Sequence, residues 1–183
     1  FQMKFTVYKF IPIVVLFIGL IFVITQQMSK QKKIEVGDRI PLFSLKDQDG
    51  KEFSVKEHIG KKKLVIYFYP KDDTPGCTKE ACKFRDEFEV FQNLETMIIG
   101  ISADDVKSHK DFAEKYRLPF TLLSDSNNEV RKTFGVPGEL FGMVPGRVTY
   151  IVDLEGKVQY IFNSLFKAEK HIDEAKRILS QSR

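Results

Sequence analysis

The sequence predicts an α/β domain in three layers, helices on both sides of a mixed β-sheet, and three features predict it. Apolar runs of strand length, at 64–69 (LVIYFY), 96–102 (TMIIGIS) and 120–124 (FTLLS), are short and rich in β-branched and aromatic residues. Longer stretches between them carry apolar residues every three or four positions, the spacing of a helix with one buried face. Two late strands, 147–153 (RVTYIVD) and 157–162 (KVQYIF), are joined only by Leu154-Glu155-Gly156 and so pair as a hairpin. Alternating strands and helices followed by a hairpin give a sheet of mixed direction.

The elements follow in order. Segments 43–45 and 51–53 flank Asp47-Gln48-Asp49-Gly50, a hairpin turn with Gly at a position suited to positive φ. Ser54 is placed to cap a short helical turn ending at Gly60. The run 64–69 is a central strand, and Pro70 through Gly76 form a turn. One long helix is expected over 75–93, with Ala81, Phe84, Phe88 and Phe91 on its buried face. A strand at 96–102 precedes an amphipathic helix at 104–116, whose apolar set is Val106, Phe112, Ala113 and Tyr116. The strand at 120–124 follows. Ser126 or Asn127 then opens a short helix that runs to Phe134 and is closed by Gly135. Residues 135–146, rich in Gly and Pro, read as loop. After the hairpin, a last helix over 168–180 turns Ile172, Ala175, Ile178 and Leu179 inward.

Charge divides unevenly along the chain. There are 29 Lys and Arg against 25 Asp and Glu, a net +4. Residues 1–33 hold five of the lysines and no acid, which leaves 24 basic and 25 acidic residues for the rest. The folded part is therefore near neutral, and nucleic-acid binding gains no support from the overall charge. Two cysteines form no disulfide scaffold. With three histidines scattered far from them, they also lack the four ligands of a structural zinc site, so no metal is expected.

The expected division is an N-terminal segment, 1–33, and a domain, 34–183. Within the first, 10–24 (FIPIVVLFIGLIFVI) is 15 uncharged residues. As a helix it is about 22 Å long, and extension back to Phe5 approaches the ~30 Å of a hydrocarbon core. Lysines flank it on both sides, and 26–33 is a polar, basic linker. The expectation is a single-pass membrane anchor, with its side undetermined. Export after signal cleavage is the alternative, although ITQQMSKQKK offers no small-x-small site.

Chemistry concentrates in 67–85, YFYPKDDTPGCTKEACKFR, which holds both cysteines. Thr74 suits an N-cap, and Pro75 suits the first helical position, where a missing N–H costs nothing. On that register Cys77 is the third helical residue. A thiol there faces unpaired N–H groups and the positive end of the helix dipole, which favour thiolate. Local physics thus proposes a strand, a turn and an activated cysteine at a helix start.

The pattern Pro70-x-x-x-Thr74-x-x-Cys77 resembles the active-site signature of the peroxiredoxins. TPGCTKEAC, with its second cysteine five residues after the first, resembles the peroxiredoxin Q or bacterioferritin comigratory protein branch. The resemblance runs from about Ile34 to Leu179 and includes FGVPGELFGMVPGRVTYIVDLEGKV and AEKHIDEA. It does not cover the apolar N-terminal segment, which is uncommon for the branch.

The resemblance implies a thioredoxin-like fold and a peroxidase that needs no metal, haem or flavin. It makes Cys77 the peroxidatic cysteine and Cys82 the resolving cysteine. Thr74 and Pro70 would shape the pocket, with Arg147 beside the sulfur. Peroxide is the implied substrate and thioredoxin, or a similar dithiol, the implied reductant. The chain is expected to act as a monomer.

Blander alternatives remain at this level. Cys82 could be an inert helix cysteine. Arg147 alone would read as an ordinary residue opening a strand. Glu80 fits equally as a pocket neighbour or as a first-turn acid favoured by the helix dipole. Phe141 and Met143 could flank the pocket mouth or simply pack. Two rival functions also stand. A thiol–disulfide oxidoreductase would usually carry Cys-x-x-Cys, whereas four residues intervene here. A redox sensor would pass its oxidation to a partner instead of turning over.

Geometry adds one mechanical expectation. Positions i and i+5 of a helix point about 140° apart, with Cα atoms roughly 8 Å apart. A disulfide needs about 7 Å or less. The helix carrying Cys77 and Cys82 must therefore unwind locally if the two are to join.

Overall fold

A computed structural model describes residues 33–139 and 143–181. The apolar segment 10–24 lies outside the described residues. The strands are β1 (Ser44–Asp47), β2 (Glu52–Ser54), β3 (Lys63–Phe68), β4 (Thr96–Ser102), β5 (Thr121–Ser124), β6 (Gly138–Glu139), β7 (Val144–Pro145), β8 (Val148–Val152) and β9 (Val158–Asn163). The helices are α1 (Pro75–Asp86), α2 (Phe88–Asn93), α3 (Val106–Tyr116), α4 (Glu129–Thr133) and α5 (Ala168–Gln181). Seven strands form one sheet in the order β2-β1-β5-β4-β3-β8-β9. β3, β4 and β5 run parallel to their neighbours among themselves, while β1, β8 and β9 join antiparallel. The expected mixed sheet is present.

β3 lies near the centre because both of its faces are apolar. Val65, Tyr67 and Tyr69 enter one buried cluster, and Leu64, Ile66 and Phe68 enter the other. That is why its sequence is a continuous apolar run and not an alternation. Gly100 in β4 lets Tyr67 lie flat across the neighbouring strand. A Cβ there would stand 2.6 Å from the Tyr67 hydroxyl oxygen.

The layers are unequal. Ala81 and Phe84 of α1, Phe91 of α2, Phe112 of α3 and Ile172 and Leu179 of α5 all pack in the same cluster, on one face. The other face receives Val55 from the 3₁₀ turn Val55–Glu57, Val130 and Phe134 from around α4, and Ile34 and Ile40. Burying a side chain such as Phe84, which is wholly inaccessible, contributes about 1.5–3 kcal/mol. α1 is thus held by its apolar stripe, and its start is free to serve chemistry.

Three expectations are corrected. The single helix over 75–93 is two helices, broken at Glu87 (φ −101°, ψ 8°), whose carbonyl accepts from the Val90 N–H three residues on. No Gly or Pro marks that break in the sequence. The 135–146 loop contains the short β6–β7 ribbon, in which Gly138 faces Pro145 and Glu139 faces Val144. Ser54 and Thr74 occupy N-cap positions, but neither side chain bonds a helix N–H.

Candidate active site

Cys77 sits where α1 begins, two residues after Pro75 and against the end of β3. It is 2% exposed. Two structures aim the helix. Arg131, nearly buried, donates from Nη2 to the Tyr69 carbonyl (2.7 Å) and from Nη1 to the Gly146 carbonyl (2.9 Å). It thereby ties the end of β3 to the residue before Arg147. Arg131 itself is fixed because Asp125 accepts from its backbone N–H at 2.8 Å, capping α4. On the other side of the turn, Asp72 accepts from the Tyr69 hydroxyl (2.7 Å) and the Ser108 hydroxyl (2.8 Å), and meets Nδ1 of the buried His109 at 2.8 Å.

Arg147, at the entry to β8, reaches back across the sheet. Its Nη2 donates to Cys77 Sγ at 3.2 Å, its Nη1 donates to Glu80 Oε2, and its Nε donates to the Leu165 carbonyl at 3.2 Å. The guanidinium is held at three points, so its direction is set. Burial opposes its charge, but Glu80 and Cys77 together outweigh that, and its pKa moves up. Gly76 leaves it room: a Cβ there would stand 3.3 Å from Nη2.

Glu80 is wholly buried one turn along from Cys77. Burial pushes its carboxyl up to about 8, against the pull of Arg147. Its Oε1 finds no hydrogen-bond partner among the described residues and lies 3.7 Å from His171 Nδ1. His171 is neutral: burial lowers it to about 4, with Arg147 adding to the effect and the Ser164 bond opposing it. Its Nε2 lies 2.9 Å from the Ser164 carbonyl, which only accepts, so Nε2 carries the hydrogen. Nδ1 is then the acceptor for the Thr149 hydroxyl at 2.7 Å.

The remaining expected residues are placed as follows. Pro70 lies two residues beyond the end of β3 at Phe68, half-buried. The Thr74 hydroxyl donates to the Lys71 carbonyl at 3.0 Å, so its one hydrogen is committed there and not to the sulfur. Cys82 is half-buried on the same helix as Cys77, and both are free thiols. Of the two options for Glu80, burial selects the pocket. Arg131 and His171 were missed. No local pattern announces them, and only the sheet brings them to the site. An open groove beside the helix start is lined by Pro75, Gly76, Lys79, Phe166 and Lys170.

Residues 36–161 match the AhpC/TSA family, more than half of the chain. A chloroplastic peroxiredoxin Q from Populus jackii is 56% identical over 147 residues, 80% of this chain and 68% of that protein. The chain belongs to the AhpC/TSA family, in its peroxiredoxin Q branch. Solved structures agree. Peroxidoxin BcpB from Mycobacterium tuberculosis superposes with a TM-score of 0.76 at 36% identity, over 82% of this chain and 99% of that one. The bacterioferritin comigratory protein of Xanthomonas campestris does so with 0.71 at 30%, over 79% and 99%. The fold is thioredoxin-like, and the chain is a thiol-dependent peroxidase, an oxidoreductase of antioxidant function.

The comparisons also correct the expected location. The relatives from Populus jackii, Triticum aestivum and Gentiana triflora are all named chloroplastic, a different location from the one expected. No helix among the described residues is long and apolar enough to cross a membrane. The single-pass anchor and the exported alternative are both set aside.

Proposed function

We propose that Cys77 is the peroxidatic cysteine and Cys82 the resolving cysteine, within a catalytic domain spanning residues 34–183. The observation that carries this is the Arg147 Nη2 donor 3.2 Å from Cys77 Sγ, at the first turn of a helix. The Cys77 thiolate attacks one oxygen of the peroxide. An S–O bond forms, the O–O bond breaks, and the departing hydroxide or alkoxide takes a proton to become water or alcohol. The Arg147 guanidinium supplies fixed N–H donors where charge passes from sulfur to oxygen. Loss of one such donor costs roughly 10²–10³ in rate. With its hydrogen on Lys71, the Thr74 hydroxyl offers lone pairs that can accept from a peroxide O–H. Pro70, which lacks an N–H, shields the sulfur from water.

The Cys82 thiolate then attacks the Cys77 sulfur. An S–S bond forms, the S–O bond breaks, and hydroxide leaves as water. A dithiol reductant resets the pair by exchange and is itself oxidised to a disulfide. Thioredoxin is the reductant the family suggests. Hydrogen peroxide and organic hydroperoxides are the substrates, and the Xanthomonas protein is described by its alkyl peroxide reduction activity. Because both cysteines lie on one helix, a monomer suffices.

The test is peroxide consumption by purified protein with excess thioredoxin. Cys77→Ser is expected to abolish it. Undiminished consumption by that variant would remove Cys77 from its role.

A further inference from the structure

One residue receives both flanks of the helical segment that carries the two cysteines. Upstream, Asp73 immediately precedes Thr74 and holds a left-handed backbone (φ 56°) that a residue with a Cβ rarely adopts. Its carboxylate accepts from the Tyr116 hydroxyl at 2.6 Å and from Lys115 Nζ at 2.6 and 2.8 Å. Downstream, Arg85 donates from Nη1 to the Tyr116 carbonyl at 2.8 Å. Arg85 stands three residues after Cys82, on the same face of the helix. Tyr116, the last residue of α3, is therefore bonded through its side chain to the approach to Cys77 and through its carbonyl to the turn holding Cys82. The disulfide cannot form while that stretch is helical, since the Cα atoms of positions i and i+5 are roughly 8 Å apart.

We propose that Tyr116 is a positioning residue for the second step of the reaction, a clamp that holds 75–85 helical for attack on peroxide and must release before Cys82 reaches Cys77. This rests on the assignment of Cys82 as the resolving cysteine. A clamp of this kind acts on the balance between the closed helix and the open stretch. Weakening it raises the small open population and with it the rate of S–S formation. The closed form stays dominant, so the rate of the first step hardly moves. Slow opening prolongs the sulfenic acid and lets a second peroxide oxidise it to sulfinic acid. The clamp therefore also sets how much peroxide the enzyme tolerates.

The experiment mixes reduced protein with hydrogen peroxide, quenches in acid at intervals, alkylates free thiols and counts sulfenic acid, disulfide and sulfinic acid by mass. Tyr116→Phe removes only the hydroxyl. Asp73→Asn keeps a residue that tolerates the left-handed backbone and loses the ion pair with Lys115. Each is expected to speed disulfide formation roughly two- to tenfold, the worth of one hydrogen bond. Each should lower the sulfinic fraction at high peroxide and leave the loss of the Cys77 thiol within about twofold of the parent. In the Asp73→Asn background, Tyr116→Phe should add less than it does alone, because the amide oxygen accepts from the Tyr116 hydroxyl more weakly than the carboxylate does. A general loss of stability would not separate the two rates in this way. Disulfide formation at the parental rate in both variants overturns the clamp. If the parent itself forms no Cys77–Cys82 disulfide, the assignment of Cys82 fails, and the clamp fails with it.

Discussion

Arg147 is one cation shared by two acidic side chains, Cys77 and Glu80, all three sealed from water. Removing the arginine would leave a buried carboxyl without its partner as well as a sulfur without its donor, so its loss should cost stability and rate together. Glu80 offers a cleaner probe. Its ordinary value is 4.5, and burial raises it to about 8 in the folded protein. Between those values the folded state binds the proton and the unfolded state does not. Stability from this group is then fully present below about pH 4.5 and is lost as pH rises toward 8. His171 has the opposite sense: neutral when folded down to about 4 against an ordinary 6.5, it favours folding as pH rises through that range. Comparison of the parent with Glu80→Gln isolates the first effect. In urea unfolding, the parent's stability relative to the variant should fall from about pH 5 to about pH 8 and level off above. A constant or rising difference contradicts burial as the dominant influence on Glu80. At this scale the sequence shows the local motif, because Pro70, Thr74, Cys77 and Cys82 lie within one turn and one helix. Arg147 is legible only through the family resemblance. Arg131 and His171 are not legible at all, since their roles arise from helices brought against residues distant in sequence, 62 positions in the case of Tyr69 and Arg131.

α1 must satisfy two demands. It must present Cys77 at its first turn, and it must come apart for Cys82 to reach Cys77. Its packing suits both. Ala81 and Phe84 bury its inner face, while Cys82 is half-buried and the pairs Lys83–Asp173 and Lys176–Glu87 that link α1 and its end to α5 are partly exposed. Exposed ion pairs of this kind contribute little, typically under about 1 kcal/mol. The expected consequence is a loss of amide protection over 76–84 when the pair is oxidised, while β3 and β4 stay protected. Hydrogen exchange in the two redox states measures it, and equal protection of 76–84 in both would contradict the unwinding. Elements of this kind are read well from periodicity: β4 falls on 96–102 as expected, and α3 and α5 differ from expectation by two residues or fewer at each end. What periodicity misses is set by tertiary contact. The break at Glu87 has no Gly or Pro, and the β6–β7 ribbon pairs residues that composition alone assigns to a loop.

Across the whole molecule, the sheet turns scattered sequence into a site. β3 supplies the floor, α1 the sulfur, the entry to β8 the arginine and α5 the histidine behind Glu80. The antiparallel pairing of β3 with β8, Phe68 against Val148, is what sets Arg147 beside the end of the strand that leads to Cys77. Every group the proposed reaction needs, apart from peroxide and reductant, comes from one chain. The reaction should therefore be unimolecular after the peroxide has gone. Most direct is a quenched time course of the reduced protein with one equivalent of hydrogen peroxide, at two protein concentrations about tenfold apart. It should show loss of both thiols, a single Cys77–Cys82 disulfide within each chain, and the same first-order rate constant for conversion of sulfenic acid to disulfide at both concentrations. Retention of the Cys77 thiol, or a disulfide that joins two chains at a rate rising with concentration, would contradict the account.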